Sequence, residues 1–220
     1  LDILDIKTGK FSNFRKDPLN ANSLSDNRIF KIFLDSKDNV WIATWAGGLN
    51  KFNKRTKKIT RYSIARDLQK MNEALIYTIT EDYDGNIWLG TEQGLYLLDV
   101  NTGAFKRYTH KNNDNTSLSN NIVTCILLDS KKNLWVGTAG GGINLFNRKR
   151  GTFSLLNKKK GLANDYIHGI VEDQAGDLWI SSNNGLTRYH ILSAKSTNYG
   201  LAYGLQGLEF KQDASLKSSD

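Results

Sequence analysis

The sequence predicts an all-β chain of β-propeller blades, each a four-stranded antiparallel sheet, together forming an incomplete propeller fragment. Three observations predict it. One phrase occurs four times around Trp41, Trp88, Trp135 and Trp179, at spacings of 47, 47 and 44 residues. An aspartate stands six residues before each of these tryptophans, at Asp35, Asp82, Asp129 and Asp173. Each unit also breaks into four short runs of β-branched and aromatic residues separated by Gly, Asn and Asp, the pattern of four strands joined by tight turns. A repeat of this length is one supersecondary unit that buries its face against the next.

The elements of a unit follow in order. An alternating apolar run, such as Ile29-Phe30-Lys31-Ile32-Phe33-Leu34, supplies the first strand. The aspartate and a polar turn come next, most plainly in Asp82-Tyr83-Asp84-Gly85-Asn86. The tryptophan strand follows, as in Ile87-Trp88-Leu89-Gly90-Thr91, then a glycine turn and a third strand such as Gly94-Leu95-Tyr96-Leu97-Leu98. A fourth run closes the first three units, at residues 58–62, 104–108 and 152–156. On this reading 21–67, 68–114, 115–158 and 159–198 are blades, residues 1–20 end a preceding blade, and 199–220 begin a further one. The chain thus reads as a piece of a longer protein, cut within a repeat at both ends. The stretch from Ala214 onward resembles the opening of a new unit. Helical repeats fit poorly, because only residues 65–76 could hold a helical turn. WD40 repeats share the period but lack their Gly-His and Trp-Asp pairs here.

The phrase D-x-x-G-N-x-W-x-G-T from Asp82 to Thr91, with the G-G-I and F-N of residues 141–147, resembles the two-component regulator propeller repeat. Residues 199–210 are similar to that family's D-G-L-Q-x-x-E-F stretch. The resemblance covers residues 1 to about 190. It implies the extracytoplasmic sensor region of a hybrid two-component histidine kinase, of the kind best known from gut Bacteroides. Such a region would lie in the periplasm as part of an inner-membrane protein, sense a ligand such as a glycan, and signal to transcription through a phosphorelay. Similar repeats also occur beside diguanylate cyclases, so the output stays open. The partners implied are an oligosaccharide, the remaining blades and the signalling domains of the parent chain. Self-association of the fragment is expected too, since an arc of blades leaves apolar faces uncovered.

Composition narrows the alternatives. No run approaches the ~20 apolar residues of a membrane helix. The net charge of +8 is the one outlier. Its Lys and Arg clusters fall in turns between strands, without an RNA- or DNA-binding signature, so nucleic acid is not expected as a partner. The summed field would draw an anionic ligand, such as a uronic or sulfated glycan. Cys125 lies within an apolar strand and reads as a buried free thiol. The Asp82 turn resembles the start of a calcium loop, but its counterparts carry Lys37, Lys131 and Lys132 where ligands would stand. A tight hairpin explains all four turns. No metal or cofactor is expected.

The recurrent tryptophans read as packing between blades. Function is expected where the units differ. The loops before each first strand vary, which singles out Arg28, Tyr77, Asn121, Tyr166 and His168. Trp45 joins them, because Glu92, Ala139 and Asn183 replace it in the other units. Three classes of function follow: a ligand-sensing module, a structural interaction propeller without a small ligand, and a propeller lyase or glycoside hydrolase. The last would centre on His168 as base. No nucleophile elbow, phosphate loop or metal-spaced histidine set supports an enzyme, so this fragment is expected not to be one.

Overall fold

The computed structural model describes residues 1–45, 47–62, 75–212 and 214–216. Residues 65–76, the one stretch that could hold a helical turn, lie almost wholly outside that set. A short hairpin, β1 (Asp2–Leu4) and β2 (Phe11–Asn13), precedes four antiparallel sheets. The first sheet is β3 (Ile29–Leu34), β4 (Asn39–Thr44), β5 (Gly48–Asn53) and β6 (Ile59–Tyr62). The second is β7 (Ile76–Glu81), β8 (Ile87–Thr91), β9 (Gly94–Leu98) and β10 (Phe105–Tyr108). The third is β11 (Val123–Leu128), β12 (Leu134–Thr138), β13 (Gly142–Asn147) and β14 (Thr152–Leu156). The fourth is β15 (Ile167–Glu172), β16 (Leu178–Ser182), β17 (Gly185–His190) and β18 (Lys195–Tyr199).

Each sheet is a simple meander, and the first strands β3, β7, β11 and β15 lie beside one another in turn. These are propeller blades stacked as an arc, not closed into a ring. Glycine is required where the second and third strands turn. A Cβ on Gly142, at φ 78°, would stand 2.5 Å from the Leu156 carbonyl oxygen.

Three mixed cores hold the blades together. Trp41 packs with Ile76, Ile79 and Ile87 of the second blade. Trp88 packs with Val123, Leu134 and Phe146 of the third, its ring edge-on to Phe146 at 5.1 Å. Trp135 packs with Ile167, Ile170 and Leu178 of the fourth. Cys125 is buried in the same core. Trp179 has no following blade among the described residues. It is half-buried, stacked on Tyr199 at 5.4 Å with the Arg188 guanidinium 5.7 Å from its centre.

Every one of these indoles donates its Nε1–H to the aspartate six residues earlier. The distances to Oδ2 of Asp35, Asp82, Asp129 and Asp173 are 2.8, 2.9, 2.8 and 2.9 Å. Oδ1 of the same carboxylate accepts the backbone N–H groups two and four residues on, as Asp82 does from Asp84 and Asn86 at 3.0 Å. One side chain therefore shapes the first turn and satisfies an indole N–H that would otherwise be buried unpaired. Asp82 receives a further donor, Arg148 of the third blade, at 2.9 Å.

The two ends depart in detail from the sequence reading. The fourth blade has an outer strand, β18, where no closing run had been recognised. The β1–β2 hairpin lies against the first blade. Its Ile3, with Leu1 and Phe14, packs on Leu24, Ile42, Phe52 and Ile59 of the first blade. On that side Ile32 and Leu34 remain 49% and 53% exposed, an apolar strip of the kind from which self-association was expected. After β18 the chain repeats an earlier path. Gly204 ends a 3-10 turn in the left-handed region as Gly161 does, and Gly185 N–H bonds the Leu208 carbonyl as Gly142 N–H bonds that of Asp165. The new unit thus opens near Gly204 rather than at Ala214.

Burial pushes the turn carboxyls up, but hydrogen bonds from the turn and the indole outweigh it. Asp35, Asp82 and Asp173 all ionise below the usual carboxylate value. A lowered folded pKa stabilises above the unfolded value of about 3.9 and is lost as pH falls through the folded values. Urea midpoints should therefore hold steady from about pH 7 to pH 5 and drop below about pH 4. Asp82→Asn should be less stable at neutral pH and show a shallower acid dependence.

Candidate functional site

The inner strands share an irregularity that sets the site. In each blade the first-to-second strand ladder slips by one residue, between Ile29 and Lys31, Ile76 and Thr78, Val123 and Cys125, and Ile167 and Gly169. The extra residues are Phe30, Tyr77, Thr124 and His168. A bulge leaves its residue out of the ladder and re-aims the side chain. Just beyond the bulge the chain closes on itself. Trp45 N–H bonds the Arg28 carbonyl at 2.9 Å, Glu92 N–H that of Leu75 at 3.3 Å, and Ala139 N–H that of Ile122 at 2.9 Å. Each blade thus brings three positions to one end of its inner strand: a residue before it, the bulge, and the residue after the tryptophan strand.

Aromatic side chains from the first two blades meet there, and the fourth blade carries a ring pair of its own. Phe30 lies edge-on to Trp45 and to Tyr77, both at 6.0 Å between ring centres. Burial raises the Tyr77 pKa, and the nearby charges of Glu92 and, least, Tyr166 raise it further. Tyr166 packs on His168 at 5.0 Å. His168 Nε2 meets the Asn183 side-chain oxygen at 2.5 Å, while its Nδ1 is buried without a hydrogen-bond partner. The third blade contributes no ring: Thr124 Oγ1 bonds the Ile167 carbonyl at 2.6 Å, and the Thr124 carbonyl accepts from Gln212 at 3.0 Å. Trp45, Phe30 and Tyr166 are 49%, 40% and 37% exposed, in contrast to the buried Trp41 and Trp88.

The structure joins Trp45 and Tyr77 through Phe30, and it pairs Tyr166 with His168 at the corresponding end of the fourth blade. Arg28 stands just before the bulge of the first blade, but its guanidinium is paired with Asp26 at 3.0 and 3.1 Å. The hydrogen bonds from Arg28 hold the Asp26 pKa down at about 2. Asn121 is set apart. Its side-chain oxygen braces the preceding loop through His110 N–H at 2.8 Å, as Asn27 does for Lys16 and Asp165 for Lys158. Phe30, Glu92 and Asn183 were not anticipated as site residues. The signal for them was present, since Phe30 aligns with Tyr77 and His168, and Glu92 and Asn183 align with Trp45, across the repeats. Among the described residues, no group of three His, Cys, Asp or Glu is placed to hold a metal, and no helix is long and apolar enough to cross a membrane.

Four blades with one bulge-built aromatic mouth define a repeat-built propeller whose variable positions converge at one end. The model of the two-component regulator propeller family matches four stretches of the chain, at residues 23–46, 70–93, 117–140 and 161–184. The chain is 30% identical over 192 residues to Histidine kinase P4 of Formosa agariphila, covering 84% of this chain and 14% of that protein. It superposes on the extracellular domain assigned to the hybrid two component system BT3049 of B. thetaiotaomicron with a TM-score of 0.73 and 25% identity, over 94% of this chain and 27% of that one. A streptogramin B lyase structure shares the fold, with a TM-score of 0.63 at 21% identity over 90% of this chain and 61% of the lyase. The chain therefore spans only a small part of its sensor relatives.

The Tyr77 environment gives a direct check on the mouth. In an absorbance titration, the difference between wild type and Tyr77→Phe should place Tyr77 above its ordinary value of 10.0. Glu92→Gln should lower it only in part, because burial still holds it up. A Tyr77 midpoint at the ordinary value would place its hydroxyl in open water, outside the mouth.

Proposed function

We propose that this chain is a ligand-sensing stretch of the extracytoplasmic propeller of a two-component sensor histidine kinase, with no catalytic step of its own. In this reading the mouth binds an oligosaccharide. The parent, held in the inner membrane with its sensor in the periplasm, passes occupancy to a kinase and on to transcription. The likeness to the extracellular domain of a hybrid two component system supports the sensing role. The observation that carries the ligand assignment is the set of rings at the bulged ends of the inner strands, Trp45, Phe30 and Tyr77 in one group and Tyr166 with His168 in another, with Trp45, Phe30 and Tyr166 exposed to solvent. Aromatic faces stack on the C–H faces of sugar rings, while a few polar groups fix orientation. Glu92, Asn183 and His168 stand among the rings for that purpose. Arg28 is already neutralised by Asp26, and Glu92 is negative, so the mouth suits a neutral sugar chain better than the anionic one suggested by net charge. His168 would serve recognition rather than act as a base, with Nε2 held by Asn183 and Nδ1 buried.

Calorimetry against a panel of neutral and acidic oligosaccharides tests this. Trp45→Ala and Tyr166→Ala should each weaken the best ligand roughly tenfold or more, the weight of one packed aromatic anchor. Arg28→Ala should change affinity little. Unchanged binding, and an unchanged response of the parent receptor, in the Trp45→Ala Tyr166→Ala double variant would put the site elsewhere.

A further inference from the structure

The blades can be compared with one another at the position facing the centre of the third strand. In the first blade Arg61 of β6 pairs with Asn50 across the ladder, and in the third blade Leu155 of β14 pairs with Asn144. The surroundings of the two are the same. Asn50 and Asn144 each bond Ser25 or Ser119 through both ends of the side-chain amide. The leading loops also match, since Asp17 N–H and Lys111 N–H are held by Ser23 Oγ and Ser117 Oγ at 2.8 and 2.9 Å.

In the first blade the Arg61 guanidinium fills the space between β6 and that loop. It donates to the Ser23 carbonyl at 2.8 Å, Ser23 Oγ at 2.7 Å, the Leu24 carbonyl at 3.0 Å and the Asn20 carbonyl at 3.2 Å. The second and fourth blades also carry polar side chains here. Arg107 donates to the Gln93 carbonyl, and Asn198 to that of Gly161. Leu155 alone brings no donor. The counterparts of Asn20, Ser23 and Leu24 are Asp114, Ser117 and Leu118. Together with Leu155 and His110 they line a cavity of about 520 Å³ in the third blade.

We propose that this cavity is a binding slot for a guanidinium group supplied by a ligand or partner, which takes the place that Arg61 fills in the first blade. This site is separate from the aromatic mouth and does not depend on the sugar assignment. The acceptors are laid out by the loop fold, which is the same in both blades. Planar guanidinium matches several carbonyl acceptors at once, where an ammonium is a point charge. Asp114 adds a carboxylate, held ionised by the hydroxyl and backbone N–H of Thr116. Phe153 and Leu155 add an apolar wall for a side-chain stem. Two features trim the slot. His110 Nδ1 takes the Leu118 carbonyl at 2.8 Å, and Lys160 Nζ closes one side on the Leu155 carbonyl at 2.6 Å. The Ser117 and Asp114 acceptor positions are then the ones left to the ligand.

The test uses the 220-residue chain and nuclear magnetic resonance titration with N-acetyl-arginine methylamide, its lysine counterpart and guanidinium chloride. Expected are saturable shifts at Leu118 and Leu155 with the arginine probe, and a lysine probe at least about tenfold weaker. Leu155→Arg should abolish the response by filling the slot in cis, with a melting temperature about 2–4 °C higher if the new contacts are worth about 1 kcal/mol. Leu155→Gln, a smaller donor, should weaken it without a demand on folding, and Leu155→Ala should keep it. Binding of guanidinium as tight as that of the arginine probe would point to a small guanidine as occupant. Binding of the arginine probe alone would point to an arginine side chain on a polypeptide. Equal affinity for arginine and lysine, the same affinity in folded Leu155→Arg, or no saturable shift with either cationic probe would overturn the proposal.

Discussion

The hydrogen bond from each repeated tryptophan to the aspartate six residues before it is the constraint on which the rest depends. The indole must be buried, because it is the largest apolar piece of each inter-blade core. Its N–H must then find a partner within reach, since an unpaired buried donor costs roughly 1–3 kcal/mol. The aspartate supplies that partner and in the same stroke closes the turn between the first two strands, through its other oxygen. Turn geometry, strand register and the orientation of the ring are thereby fixed by one pair. The neighbouring blade then caps the pair in its own way. Val100 packs into the core around Trp41, Arg148 lies over Trp88 and bonds Asp82, and Ile191 packs into the core around Trp135. On Trp179 the cap comes from its own blade, through Arg188.

A scaffold fixed from within leaves the other end of each inner strand to vary. The bulge is common to all four blades, while its residue is Phe30, Tyr77, Thr124 or His168. Backbone regularity and side-chain diversity are thus separated along a single strand. The same separation holds at the rim, where a common loop fold meets Arg61, Arg107, Leu155 or Asn198. Positions that differ on an identical frame are where a repeat protein can acquire individual recognition.

What was legible in the sequence follows the same division. The tryptophans, aspartates and turn glycines recur, so the strands and their order could be read from spacing alone. The aspartate and the tryptophan were each visible, but the bond between them was not, because a six-residue offset has no meaning until the hairpin is folded. Strand β18 escaped notice because Lys195-Ser196-Thr197-Asn198-Tyr199 is polar and lies at the outer edge, where no apolar alternation is needed. In the mouth, Trp45 stood out as an unshared aromatic. Phe30 did not, because it reads as one more apolar residue of Ile29–Leu34 and only the register slip turns it out of the ladder. Asn121 was indistinguishable from a ligand-binding amide until its bond to the His110 backbone could be seen.

A double-mutant cycle on Asp82 and Trp88 tests the central claim most directly. Asp82→Ala removes the acceptor, Trp88→Phe keeps a ring but removes the N–H, and urea unfolding of the four proteins gives the interaction energy. Coupling of about 1–3 kcal/mol is predicted, as for groups within one buried hydrogen-bond network. Additivity within about 0.5 kcal/mol would contradict the account. It would mean that turn and inter-blade core are held independently.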